Sequence, residues 1–103
     1  MLYLVFSGKI KEGKVNDFYK NVARVSQQAT LSQDKPLVYQ WNKNIHDPRC
    51  FMLNEQWESV EDLHAHFETL YTLFGEARPT ERLPAAILDY LDDASVAYYE
   101  PVA

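Results

Sequence analysis

The spacing of apolar residues changes period several times along the chain, and each change marks an element. Leu2–Phe6 is apolar at every position. In a strand over Leu2–Ser7, Leu2, Leu4 and Phe6 share one face and Tyr3 and Val5 the other. A strand apolar on both faces has to be covered on both. The chain's own helices can cover one; the second needs a further layer, which points to a partner chain. Lys9–Lys14, with Gly13 as its turn residue, leads into a helix whose apolar positions Val15, Phe18, Tyr19, Val22, Val25 and Ala29 recur at steps of three and four. Asp34-Lys35-Pro36 ends it. A second strand, Leu37–Lys43, places Leu37, Tyr39 and Trp41 on one face, and the turn-forming run Asn44–Pro48 joins it in a hairpin to Cys50–Trp57. There Phe51, Leu53, Glu55 and Trp57 point one way and Met52, Asn54 and Gln56 the other. Ser59, with Asp62 following in a capping-box variant, starts a helix with the stripe Leu63, Phe67, Leu70 and Phe74. Gly75 is its C-cap, and Arg78-Pro79 is a linker. A third helix entered at Pro84 has Ile87, Leu88 and Leu91 on its core side and closes at Asp92-Asp93. Ser95–Glu100 reads as a last strand.

The resulting order, β-α-β-β-α-(α)-β, predicts an α+β fold: a ferredoxin-like sandwich in which one face of a four-stranded antiparallel sheet carries the helices. The bare face is best covered by a second copy, giving a homodimeric α+β barrel. Residues 1–103 are expected to form a single domain.

Composition narrows the function classes. Of the 103 residues 47% are hydrophobic, enough for a folded core, and 14% are aromatic, more than a minimal core needs. The aromatic surplus suits a pocket or an interface, or half-buried surface tyrosines. A net charge of −5 with no basic run argues against nucleic acid. Cys50 is the sole cysteine, which excludes an internal disulfide and fits a reducing, cytoplasmic setting; without a neighbouring base it reads as a strand filler. Leu2–Phe6 is too short for a signal or membrane segment, and there are no internal repeats.

The chemistry concentrates where the third strand runs into its helix. Glu55 is either a structural carboxylate held by a backbone or arginine partner, or a catalytic one. Trp57 suits core packing or a pocket wall. His66 shares the helix face of Leu63 and Leu70, so it is either a hydrogen-bonded core histidine or a general base. If the helix folds back over the strand, Glu55 and His66 meet, and the carboxylate would raise the imidazole's pKa and fix its tautomer. His64 lies about 200° around the helix from His66, which makes the two a poor metal pair; no metal site is expected. Arg78 and Arg82 either solvate the surface or hold an acidic group of a substrate.

The run from Asp47-Pro48 through Phe51, Leu53, Glu55-Gln56-Trp57-Glu58-Ser59 to Leu63 and His66 resembles the antibiotic biosynthesis monooxygenase family, as do Glu12-Gly13-Lys14 and Leu37-Val38-Tyr39. Two sites depart from it. Many members carry Glu-Pro-Gly where this chain has Gln33-Asp34-Lys35-Pro36, and Pro-His where it has Leu70-Tyr71; the tail after Gly75 does not align. The resemblance implies a homodimeric barrel with one pocket per subunit between helices and sheet. It also implies a cofactor-independent monooxygenase acting on a small quinol- or phenol-like aromatic, with His66 and Glu55 catalytic and Phe51, Leu53, Trp57, Phe67 and Tyr71 binding substrate. Such chemistry needs no cofactor, because an ionised electron-rich phenol can itself pass an electron to O₂. Two other classes stay open. One is a haem-binding or haem-degrading protein with His66 or His64 as axial ligand, although such relatives carry an asparagine in the first strand where this chain has Phe6-Ser7-Gly8. The other is a non-catalytic dimeric module that binds a small molecule.

Overall fold

The computed structural model describes residues 1–103. Its alternating segments pair into one antiparallel sheet in the order β2-β3-β1-β4, formed by β1 (Leu2–Ile10), β2 (Val38–Lys43), β3 (Cys50–Trp57) and β4 (Leu91–Tyr99). Two rungs of this sheet carry the site. Tyr39, Glu55, Leu4 and Tyr98 are aligned across all four strands, and Trp41, Leu53, Phe6 and Val96 form the next rung on the same face. Gly8 lets β1 and β4 approach: a Cβ there would collide with the Asp93 carbonyl oxygen and the Phe51 ring.

Three helices lie over that face. The first, α1, joins α-helical Val15–Phe18, a π-helical turn Tyr19–Ala23 and α-helical Arg24–Gln33. The second, α2, is Val60–Phe74, and α3 is the single turn Ala85–Leu88. The Ser59 side chain accepts from the Asp62 backbone N–H at 3.2 Å and so caps α2, and Gly75 at φ 91° ends it. Both follow from the sequence as expected. The core under the helices contains Leu4, Phe6, Ile10, Phe18, Val22, Phe51, Leu53, Trp57, Leu63 and Leu70. This is the expected α+β ferredoxin-like sandwich.

Three elements differ from expectation. The stripe of α1 changes register: beyond Val22 the buried positions are Ala23, Ser26 and Thr30, while Val25 is 37% exposed. The π turn adds a residue to the winding and rotates the rest of the helix, so Phe18 and Val22 are continued by Ser26, Thr30 and Asp34. The third helix is only a turn, and Leu91 belongs to β4 rather than to it. β4 therefore starts before Ser95 and takes in Asp92 and Asp93. As an edge strand it tolerates charge, and the Arg49 guanidinium donates to Asp92 at 2.8 Å. On the sheet's other face Met52 and Tyr99 are exposed, and Tyr3 and Val5 are half-buried. The two-sided strand thus has one side covered within the chain. No helix is long and apolar enough to cross a membrane.

Candidate functional site

Glu55 sits mid-rung on β3 because its strand neighbours are apolar on that face, and it is carried inward with Leu53 and Trp57 by the pleat. Its side chain is buried, and the Trp57 Nε1–H donates to its Oε1 at 2.9 Å. Burial pushes the Glu55 carboxyl up to about 7, although the indole hydrogen bond draws it back. Near neutral pH it is therefore a carboxyl poised to hold or lose a proton.

His66 comes down from α2 onto the same spot. Its ring lies 4.9 Å from that of Trp57 and 5.2 Å from that of Tyr39, and it is fully enclosed. Nδ1 is 2.9 Å from Asp34 Oδ2, and the Thr69 hydroxyl donates to Asp34 Oδ1 at 2.7 Å. The Asp34 carboxylate can only accept, so Nδ1 carries the hydrogen and Nε2 the lone pair. Nε2 has no hydrogen-bond partner: Glu55 Oε1 is 3.7 Å away, beyond hydrogen-bond reach. An unmet buried polar atom costs about 1–3 kcal/mol and points to a ligand or a catalytic role. Burial lowers the pKa of His66, with Asp34 pulling it partly back. The expected rise caused by Glu55 is thus reversed, because enclosure among aromatic rings outweighs the charge. The group that fixes the tautomer is Asp34, not Glu55.

Both residues line a cavity of about 490 Å³ between sheet and helices. Leu53, Glu55, His66 and Phe67, anticipated from sequence, are in its wall, together with Tyr39, Leu70 and Ile87. Burial, with the Glu55 carboxyl next, holds the Tyr39 phenol above its ordinary range, so it stays protonated. Three anticipated binding residues stand back from the cavity. Trp57 lies behind Glu55 and braces it. Phe51 packs into an aromatic cluster with Phe6 and Phe18 at ring separations of 5.1 and 5.0 Å. Tyr71 stacks on Phe67 and donates through its hydroxyl to the Arg82 carbonyl at 2.6 Å. Asp34 was missed by the sequence reading, because repeated four-residue steps from Phe18 through Val22, Ser26 and Thr30 keep it on the inner face only once the π turn has rotated the helix. His64 is exposed, and no group of three or more His, Cys, Asp or Glu side chains is placed to hold a metal ion.

Residues 1–76 match the profile of the family Antibiotic biosynthesis monooxygenase. The chain belongs to that family. Solved structures agree on the fold. One described as antibiotic biosynthesis monooxygenase superposes with a TM-score of 0.72 at 18% identity over 100% of both chains. A Pseudomonas aeruginosa protein gives 0.75 at 20% identity over 99% of this chain and 94% of its own. A conserved Methanosarcina mazei protein gives 0.74 at 19% identity over 95% and 89%. At such identities the likeness carries the fold alone. No curated protein matches the chain. The match to the family stops at Gly75-Glu76, so the linker, α3 and β4, which close one side of the cavity, lie outside it.

Proposed function

We propose that this member of the family is a cofactor-independent monooxygenase of a small electron-rich phenol or quinol. The observation that supports it most is the bare, buried Nε2 of His66 in the wall of an apolar cavity, with Nδ1–H held by Asp34. A substrate hydroxyl donating to Nε2 would satisfy that atom. Transfer of its proton makes an imidazolium, which the Asp34 carboxylate stabilises through the bond it already accepts. The phenolate then passes one electron to dioxygen, and the resulting radical and superoxide join at a ring carbon. The peroxide anion takes a proton back from the imidazolium. The O–O bond breaks as Glu55 gives its proton to the departing oxygen, making water, while the carbon's hydrogen passes as a proton to the Glu55 carboxylate so formed and a carbonyl is left. Glu55, protonated up to about pH 7, is the acid within reach of the departing oxygen. For a quinol the balance is quinol + O₂ → hydroxyquinone + H₂O, with two electrons from each of the quinol and its ring carbon accounting for the four that O₂ takes up. The apolar wall keeps water from the radical pair.

The haem-binding reading is supported less: His64 is exposed away from the cavity, and the His66 ring is packed between Trp57 and Tyr39 at 4.9 and 5.2 Å. We infer also that two copies associate through the open sheet face, since Val5, Met52 and Tyr99 leave apolar surface there; a light-scattering mass of one chain at micromolar concentration would contradict this. The catalytic reading is tested by oxygen uptake with a panel of hydroquinones. Uptake that depends on His66 supports it. Tight binding of quinols without uptake would make the protein a binding module instead.

A further inference from the structure

The two polar ends of the cavity differ in kind. The inner end holds Glu55, His66 and Tyr39, all buried. The outer end is formed by the segment after α2, where Glu81 and Arg82 are exposed and line the cavity beside Ser95 and Tyr98 of β4. Between the two lies an apolar barrel of Leu4, Phe6, Leu53, Phe67 and Leu70. The arginines that the sequence paired are separated by the fold. Arg78 is occupied, donating to Asp89 and to Glu81, the latter at 3.4 Å. Arg82 forms no ion pair although the chain carries a net charge of −5.

Arg82 is also well placed. Its carbonyl accepts from the Tyr71 hydroxyl, the Glu81 N–H donates to the Arg78 carbonyl at 2.9 Å, and the Ala85 N–H donates to the Glu76 carbonyl at 3.0 Å. The loop is thus tied to α2 and to itself, so the guanidinium stem springs from a fixed backbone. Arg78 draws the neighbouring Glu81 towards itself and Asp89, and Arg82 is the cation of the lining that has no ion-pair partner.

We propose that Arg82 selects substrates bearing an anionic group, a carboxylate above all, at the end of the molecule opposite the hydroxyl that meets His66. The inference rests on the functional reading of the cavity and deepens it. It also assigns substrate choice to the part of the chain beyond the family match, while proton chemistry stays within it. A planar guanidinium with several donors suits a carboxylate that enters last and stays partly solvated.

The test is binding under nitrogen, followed by tryptophan fluorescence, of hydroquinones carrying a carboxylate on spacers of increasing length, each beside its methyl ester. At the spacer that spans the cavity the acid is expected to bind about 5–10-fold tighter than the ester, as a half-solvated charged contact allows. Arg82→Gln removes that ratio, Arg82→Lys keeps part of it, and Glu81→Gln leaves it equal or larger. Arg82 is exposed and unpaired, so its variants fold. Acids and esters that bind alike, or a ratio unchanged in Arg82→Gln, overturn the inference while the cavity reading stands. If neither acids nor esters bind, the cavity reading falls and this inference with it.

Discussion

The two ends of β3 are equally buried and opposite in character. Around Phe51 the neighbours are Phe6, Phe18 and Trp41, whose rings meet it at 5.0–5.6 Å, and the one polar atom among these rings, the Trp41 indole N–H, donates to the Ser26 hydroxyl at 3.1 Å. Around Glu55 and Trp57 the neighbours are an imidazole, a phenol and a carboxylate from three other elements, and one nitrogen is left without a partner. The same strand thus supplies a dry anchor at one end and a reactive site at the other. Burial does not distinguish them; whether each buried atom has somewhere to put its hydrogen bond does. The anchor fixes the sheet to α1, and that rigidity allows the other end to hold an unfavourable group in place.

Substitutions at each end should separate the two roles. The largest effect belongs to the reactive end: His66→Ala should lower turnover roughly 10²–10⁴-fold, the worth of a positioned base, with the fold kept by circular dichroism. Phe51→Ala should do the reverse, costing about 3–5 kcal/mol in denaturant unfolding while the surviving folded protein keeps its activity. If Phe51→Ala abolished quinol binding in protein shown to be folded, the division between the ends would be wrong.

Glu55 makes the comparison depend on pH. Between its ordinary value of 4.5 and about 7 the folded protein keeps a proton that the unfolded chain has released, so this group makes folding less favourable as pH rises. The full span is worth about 3 kcal/mol. His66 acts in the opposite sense: with its folded pKa below 6.5, the unfolded chain takes up the proton first, and its contribution improves as pH rises towards 6.5. Glu55→Gln removes the first of these opposed slopes, so the variant should gain stability relative to the parent as pH rises from 4.5 to about 7. Parallel stability curves would contradict the buried carboxyl. A smaller effect is expected of Trp57→Phe. It should cost about 1–3 kcal/mol through lost volume and the lost indole hydrogen bond. It should also move the Glu55 carboxyl further up, since the bond that lowered it is gone; an alkaline limb of the rate profile that does not move would weaken the role given to the indole.

The dry end was easier to read from sequence than the reactive one. Alternation along Cys50–Trp57, the Ser59 cap, the Gly75 stop and the hairpin at Asn44–Pro48 are local signals, and each element formed where its residues asked for it. Glu55 and His66 could be paired from periodicity because strand and helix are consecutive. Asp34 could not, because its arrival depends on the π turn at Tyr19–Ala23, which the spacing of apolar residues does not announce. A regular helix would present Val25 and Ala29 to the sheet and turn Asp34 aside. The start of β4 was hidden for a similar reason: Asp92-Asp93 looks like a helix end until Arg49, brought over by the hairpin, takes one of the charges.

Catalysis as proposed requires that His66 be neutral at rest, with hydrogen on Nδ1 and a bare Nε2 turned to the substrate. It is tested most directly by the ¹⁵N resonances of the ring in labelled protein at about pH 7, identified by their loss in His66→Gln and followed as a hydroquinone is added under nitrogen. The expected spectrum shows a protonated Nδ1, an Nε2 with the shift of a free lone pair, and a move of Nε2 alone towards the hydrogen-bonded value as the quinol binds. A hydrogen on Nε2, a doubly protonated ring at rest, or an Nε2 that ignores the bound quinol would contradict it.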